Sequence, residues 1–340
     1  MEDHRVKKCL TIGIILLFFG TCIIPATAQD IEKPLPTSKG QWLYVGGSGP
    51  GNYTRIQDAI NDSSDGDTVF VFNDSSPYVE HIVVDKSITL QGEEKNSTVI
   101  LGANTTYGVN ITVDTVSVLG FTIQNFSYGV YLMSSNNWVS DNIFRENSFG
   151  LLMYNKNLSD SVSFSLGYNV LRKNLFINNS KGIYVWGGWN NTIEGNTVSQ
   201  NYNGIIVGSA VNTVLSMNHL SENLIGVSVY GSYNTTVSYN NFTDNNLGVV
   251  TMETSADNIR QNNFINNNWS AMSSQRLLSK IRTLKLYLGV PLRRNVWDGN
   301  YWDEPRSLPF IIPGVIMIAI FKVPLGFQVD WHPAQEPYDI

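Results

Sequence analysis

From residue 139 to residue 270 the apolar and polar positions recur every 22 residues. An asparagine stands eight residues before a glycine at Asn142, Asn174, Asn196, Asn218 and Asn240, and the glycines are Gly150, Gly182, Gly204, Gly226 and Gly248. One further step reaches Asn262, where Ser270 takes the glycine place. The first step is ten residues longer, which places an insertion within residues 155–167. Around this frame the apolar columns are uniform. Three before the asparagine stand Val139, Leu171, Ile193, Leu215, Val237 and Ile259; two after it stand Phe144, Phe176, Val198, Leu220, Phe242 and Phe264. A second asparagine column follows at Asn147, Asn179, Asn201, Asn223, Asn245 and Asn267.

Apolar residues spaced by two are strand faces turned toward a core. Strands this short cannot bury a face alone, but stacked coils can, each strand pairing with its counterpart roughly 4.8 Å away in the next coil. Like residues then lie above one another, and the asparagine columns become amide ladders. Asparagine tolerates tight, left-handed bends, and glycine admits a turn with positive φ. The pattern predicts an all-β parallel β-helix.

The first half is less regular. Strands are expected near residues 68–72, 81–84, 87–90, 98–100, 109–113 and 116–123. Residues 53–60 read as a helix with Ile56, Ala59 and Ile60 on one face, suited to cap the open end of a solenoid. After Asn268 the repeat stops, and Leu277, Ile281, Leu284 and Leu288 form a helical stripe. The expected organisation is therefore a signal over residues 1–28, a linker over 29–45, the β-helix over 46–270, and a C-terminal helix with an aromatic cap over 271–340.

Only 15% of residues are charged, and Asn, Ser and Thr supply the polarity. Arg5, Lys7 and Lys8, the apolar run Leu10 to Ile24, and Ala26-Thr27-Ala28 read as an export signal cleaved after Ala28. Both cysteines, Cys9 and Cys22, lie inside it, so the mature chain has no disulfide and no thiolate chemistry. Cleavage removes two acids and three bases, taking the formal charge from −6 to −7. A mildly acidic exported chain is a poor nucleic-acid binder. The 12-residue apolar run 310–321 is too short to cross a bilayer. A monomer at or beyond the cell surface is expected.

The segments "YTRIQDAINDSSDGDTVFVF" and "YVEHIVVDKSITLQGE", followed by the Asn/Gly coils, resemble the NosD-like right-handed parallel β-helix proteins. "NVWDGNYWDEPR" and "DWHPAQEPYDI" resemble the C-terminal ends of secreted archaeal members. The resemblance covers roughly residues 42–340 and supplies the right-handedness. It implies the broader class of carbohydrate-binding proteins and sugar hydrolases built on pectin-lyase-like helices. It also admits a copper-related accessory role, although no copper ligand motif is matched.

Three candidate chemistries follow. Lyases and hydrolases need carboxylates held close together. Glu222 and Asp244 stand one coil apart and are the catalytic candidates for a polysaccharide lyase or glycoside hydrolase, able to share a Ca2+ ion; the alternative is a solvated polar column. The outward positions after the glycine carry Tyr131, Tyr154, Tyr184, Trp186 and Tyr230, a strip on which sugar rings would stack. Either an extracellular or envelope polysaccharide occupies this strip or the chain's own residues 290–340 cover it. His81, His219 and His332 share no column; Met217 and His219, read as alternating on one strand, are the only pair suited to Cu(I). Trp297, Tyr301, Trp302, Trp331 and His332 read as aromatic anchors of the cap. The leading expectation is a non-catalytic glycan-binding surface protein without a resident cofactor.

Overall fold

The computed structural model describes residues 40–154, 166–276, 294–318, 321–323 and 327–340. They form a right-handed parallel β-helix with three columns of strands. In one coil these are Thr192–Glu194, Thr197–Ser199 and Asn203–Gly208. Each pairs in parallel with the strand 22 residues on: Thr192 with Val214, Thr197 with His219, Asn203 with Ile225. The inward residues Ile193, Val198, Ile205 and Val207 are wholly buried, as are their counterparts along the stack. Burying such a side chain contributes roughly 1.5–3 kcal/mol, and the stack repeats that gain coil after coil.

The coils extend past both expected limits. Trp42–Val45, assigned above to a linker, pairs with Thr68–Val71 and opens the first column. Past Ser270, Val296–Asp298 pairs with Asn258–Arg260, and Tyr301–Trp302 pairs with Asn263 and Phe264. The repeat is lost to the eye because this coil is 38 residues long, yet its ladder contacts persist. Residues 1–28, the insertion 155–165 and the helical stripe from Leu277 to Leu288 lie outside the described residues.

Asparagine and glycine do different work from the expected. The left-handed corner residue is not the ladder asparagine but the one before it. Asp141, Lys173, Met217, Tyr239 and Gln261 precede one ladder, and Glu146, Asn178, Gln200, Glu222, Asp244 and Asn266 precede the other, all with φ between 54° and 59°. The ladder asparagine is then free to point inward. Asn201 Nδ2 donates to Asn223 Oδ1 (3.1 Å), Phe176 O (3.1 Å) and Ser199 O (2.8 Å), and its Oδ1 accepts from the Asn179 backbone N–H at 2.9 Å. A further ladder, absent from the sequence reading, runs through Asn137, Asn169 and Asn191. It continues as Thr213, Thr235, Asp257 and Asn295. The glycine column has ordinary φ. Its role is close approach: a Cβ on Gly204 would lie 2.5 Å from Gly226 O, and one on Gly182 would lie 2.6 Å from Gly204 O.

Both ends are closed. The helix Ile56–Asp62 buries Ile56, Ala59 and Ile60 against the first coils. Glu80 accepts from the backbone N–H groups of Ile56 and Gln57 at 2.9 and 3.2 Å, so a tertiary contact caps the helix. At the other end Phe242, Phe264, Trp302 and Phe310 stack in sequence with centroids 4.9, 4.5 and 4.1 Å apart. Trp297 and Trp302 are buried, as expected of cap anchors, whereas Trp331 and His332 are exposed and Tyr301 is half-buried.

Candidate binding face and acidic corner

Each third-column strand turns three side chains outward: the residue before the glycine and the second and fourth after it. In Lys181–Trp186 these are Lys181, Tyr184 and Trp186, half-buried between fully buried neighbours. Strand pairing places Tyr131 beside Leu152, and Leu152 beside Tyr184. Tyr154 lies beside Trp186, Trp186 beside Gly208, and Gly208 beside Tyr230. All five expected residues therefore share one sheet face.

Aromatic contacts join four of them, Tyr131, Tyr184, Trp186 and Tyr230, into one run through Tyr128 and Phe149. Tyr128 meets Tyr131 at 5.6 Å and Phe149 at 5.3 Å; Phe149 meets Tyr184 at 5.5 Å; Tyr184 meets Trp186 at 6.1 Å. Trp186 then reaches across a whole coil to Tyr230, with centroids 6.0 Å apart. Gly208 makes this reach feasible, because any Cβ there would lie 2.4 Å from the Trp186 ring. The planes of Tyr184 and Tyr230 are within 12° and 24° of the indole. Burial pushes the Tyr131 and Tyr184 phenols up from their ordinary pKa, so both stay protonated donors across neutral pH. Tyr128, Phe149 and Gly208 were missed from sequence. The signal was present, since Tyr107, Tyr128 and Phe149 each precede a repeat glycine.

The described tail pairs with the final coils: Gly314 lies beside Ser273, and Tyr338 lies against Tyr239 and Asn263. A second aromatic group, Trp42, Tyr44, Phe70 and Phe72, lies on the outer face of the first column.

Glu222 and Asp244 are both exposed at left-handed corners. Glu222 accepts from Gln200 Nε2 at 2.9 Å, which ties it to the amide of the preceding coil. Met217 is itself a corner residue, and His219 begins the next strand. The two therefore do not alternate on one strand as expected, because the bend falls between them. His81 packs on Tyr107 and Phe126, and His332 Nδ1 lies 2.7 Å from Asp298 Oδ1.

One protein-family model matches the chain, described as "Periplasmic copper-binding protein (NosD)", over residues 60–234 and 167–307. Among solved structures, the complex of XylC with xylose superposes with a TM-score of 0.52 at 12% identity, covering 69% of this chain and 68% of that one. The A-module of the mannuronan C-5 epimerase AlgE4 of Azotobacter vinelandii gives 0.50 at 12% identity, covering 76% and 83%. At that identity the likeness shows the fold alone. No curated protein matches the sequence. Among the described residues no three of His, Cys, Asp or Glu converge, and His81, His219 and His332 sit on separate coils.

Proposed function

This chain belongs to the NosD family, and from that premise we propose that it is an exported, non-catalytic β-helix protein that binds an extended polysaccharide or envelope glycan along the third-column face. The observation that carries the reading is the unbroken aromatic run from Tyr128 to Tyr230. Rings held at fixed spacing on a rigid sheet lose little entropy when a sugar ring stacks on them, and tyrosine hydroxyls at their rims can hydrogen-bond sugar hydroxyls. The family's periplasmic description and the signal-like residues 1–28 support export.

Trp186→Ala is the direct test. Removing the indole breaks the run at its centre and should weaken glycan binding about tenfold, the loss of about 1.4 kcal/mol of stacking. The unfolding midpoint should hardly move, since the side chain is outside the core. Unchanged affinity in calorimetry would sink the reading.

A further inference from the structure

The aromatic run fixes where a ligand would lie, and the charges around it limit what that ligand can be. We infer, resting on the glycan-binding reading, that the face takes a neutral sugar chain running along the solenoid axis, not a uronate polymer.

The direction follows from the contacts. Tyr131, Phe149, Tyr184, Trp186 and Tyr230 belong to successive or near-successive coils, so the run crosses strands instead of following one. From Tyr131 to Tyr230 it spans four coil spacings, roughly 19 Å at 4.8 Å each. A chain laid across these rings would meet a new coil at each step.

The charge follows from the outward positions on the same strands. Beside the aromatics they hold Ile206 and Met252, half-buried, and Leu152, Ser228 and Val250, buried between their larger neighbours. On the strands that carry the run, from Tyr131 to Tyr230, the one cation at an outward position among the described residues is Lys181, and its Nζ lies 4.4 Å from the centre of the Phe149 ring. That ammonium is already held over an aromatic face. A uronate chain would bring a carboxylate to almost every sugar and would need a cation at each coil to replace the lost hydration. The edge where the second column turns into the third offers the opposite sign: Glu146, Glu222 and Asp244 are exposed there. Arg145, beside Glu146, is the nearby counter-charge, and its Nε is bonded to Gln124 Oε1. The whole chain carries a formal charge of −6. An acidic polymer is thus repelled on approach and unpaired on arrival, whereas a neutral one loses nothing at either stage.

The test is calorimetric titration of the full chain with xylo-, cello- and manno-oligosaccharides of increasing length, against oligogalacturonates and oligomannuronates with and without Ca2+. The expected result is binding of a neutral series, insensitive to salt, rising with length and levelling once the run is spanned. Acidic oligomers should bind about tenfold more weakly or not at all. Tyr184→Ala should reduce neutral binding. Tighter binding of an acidic series, weakened by salt and lost in Lys181→Gln, would overturn this inference while leaving the glycan-binding reading intact. No binding of either series, or self-association or vesicle binding in its place, would overturn both.

Discussion

At Asp257 one ladder carries an acid where its neighbours carry amides. The side chain is wholly buried, Oδ1 accepts from the Thr235 N–H at 2.9 Å, and Oδ2 meets no partner among the described residues. Burial pushes its pKa up to about 7, against the smaller opposing effect of the Thr235 N–H. An Asn at this place would have an amide to donate; a carboxyl matches it only when protonated. The folded state therefore holds the proton up to about pH 7, whereas the unfolded chain releases it near 3.8. A raised carboxyl pKa means stability is full at acid pH and falls as pH rises through that window, by on the order of 4 kcal/mol in the limit. Asp257→Asn should match the wild type at pH 4 and exceed it at pH 8 in denaturant titrations. A gap that does not grow with pH would refute this account. The position was hidden in the sequence because Thr213 and Thr235 interrupt the asparagine column just before it.

Between strands, the glycine column separates two kinds of constraint that look alike in sequence. Gly204 faces the backbone of the next coil, 2.5 Å from a virtual Cβ, and backbone cannot step aside without breaking the ladder. Gly204→Ala should cost roughly 1–3 kcal/mol, read as a lower unfolding midpoint. The atoms nearest a Cβ on Gly208 all belong to the Trp186 ring, a side chain and not a ladder backbone. Gly208→Ala should leave stability nearly unchanged but dislodge the indole and weaken glycan binding as Trp186→Ala does. Equal stability losses in both variants would mean that the two glycines serve the same purpose. The helix Ile56–Asp62 shows a related division: its apolar stripe was legible, but its cap comes from Glu80, 24 residues from Ile56.

Across the whole molecule, each ladder passes its donors toward the C-terminus, so the last rung needs an acceptor. Asp330, fully buried, supplies it. It accepts from Asn300 N and Nδ2, both at 2.9 Å, Trp302 Nε1 at 3.0 Å, Gly299 N at 3.1 Å and His332 N at 3.2 Å. Asp330→Ala strands several buried donors and should cost roughly 3 kcal/mol or more. Because a solenoid's stability is a sum over neighbouring coils, the loss should be local. Amide exchange should quicken around residues 258–302 and stay slow in the coils before residue 150. Uniform loss of protection along the stack would contradict it.

The sequence by itself determined the stacked architecture, two of its ladders and the aromatic face. Each of these rests on residues repeating at a fixed spacing, and a fixed spacing survives without coordinates. The tertiary structure alone decided what depends on contacts between positions of no common spacing. The 38-residue coil rejoins the stack through Asn262 and Asn300, Asp330 closes it, and Gly208 lets Trp186 cross to Tyr230. It also moved the left-handed bend from the asparagine to its neighbour, because a side chain aimed into the core must leave the turn to the residue before it.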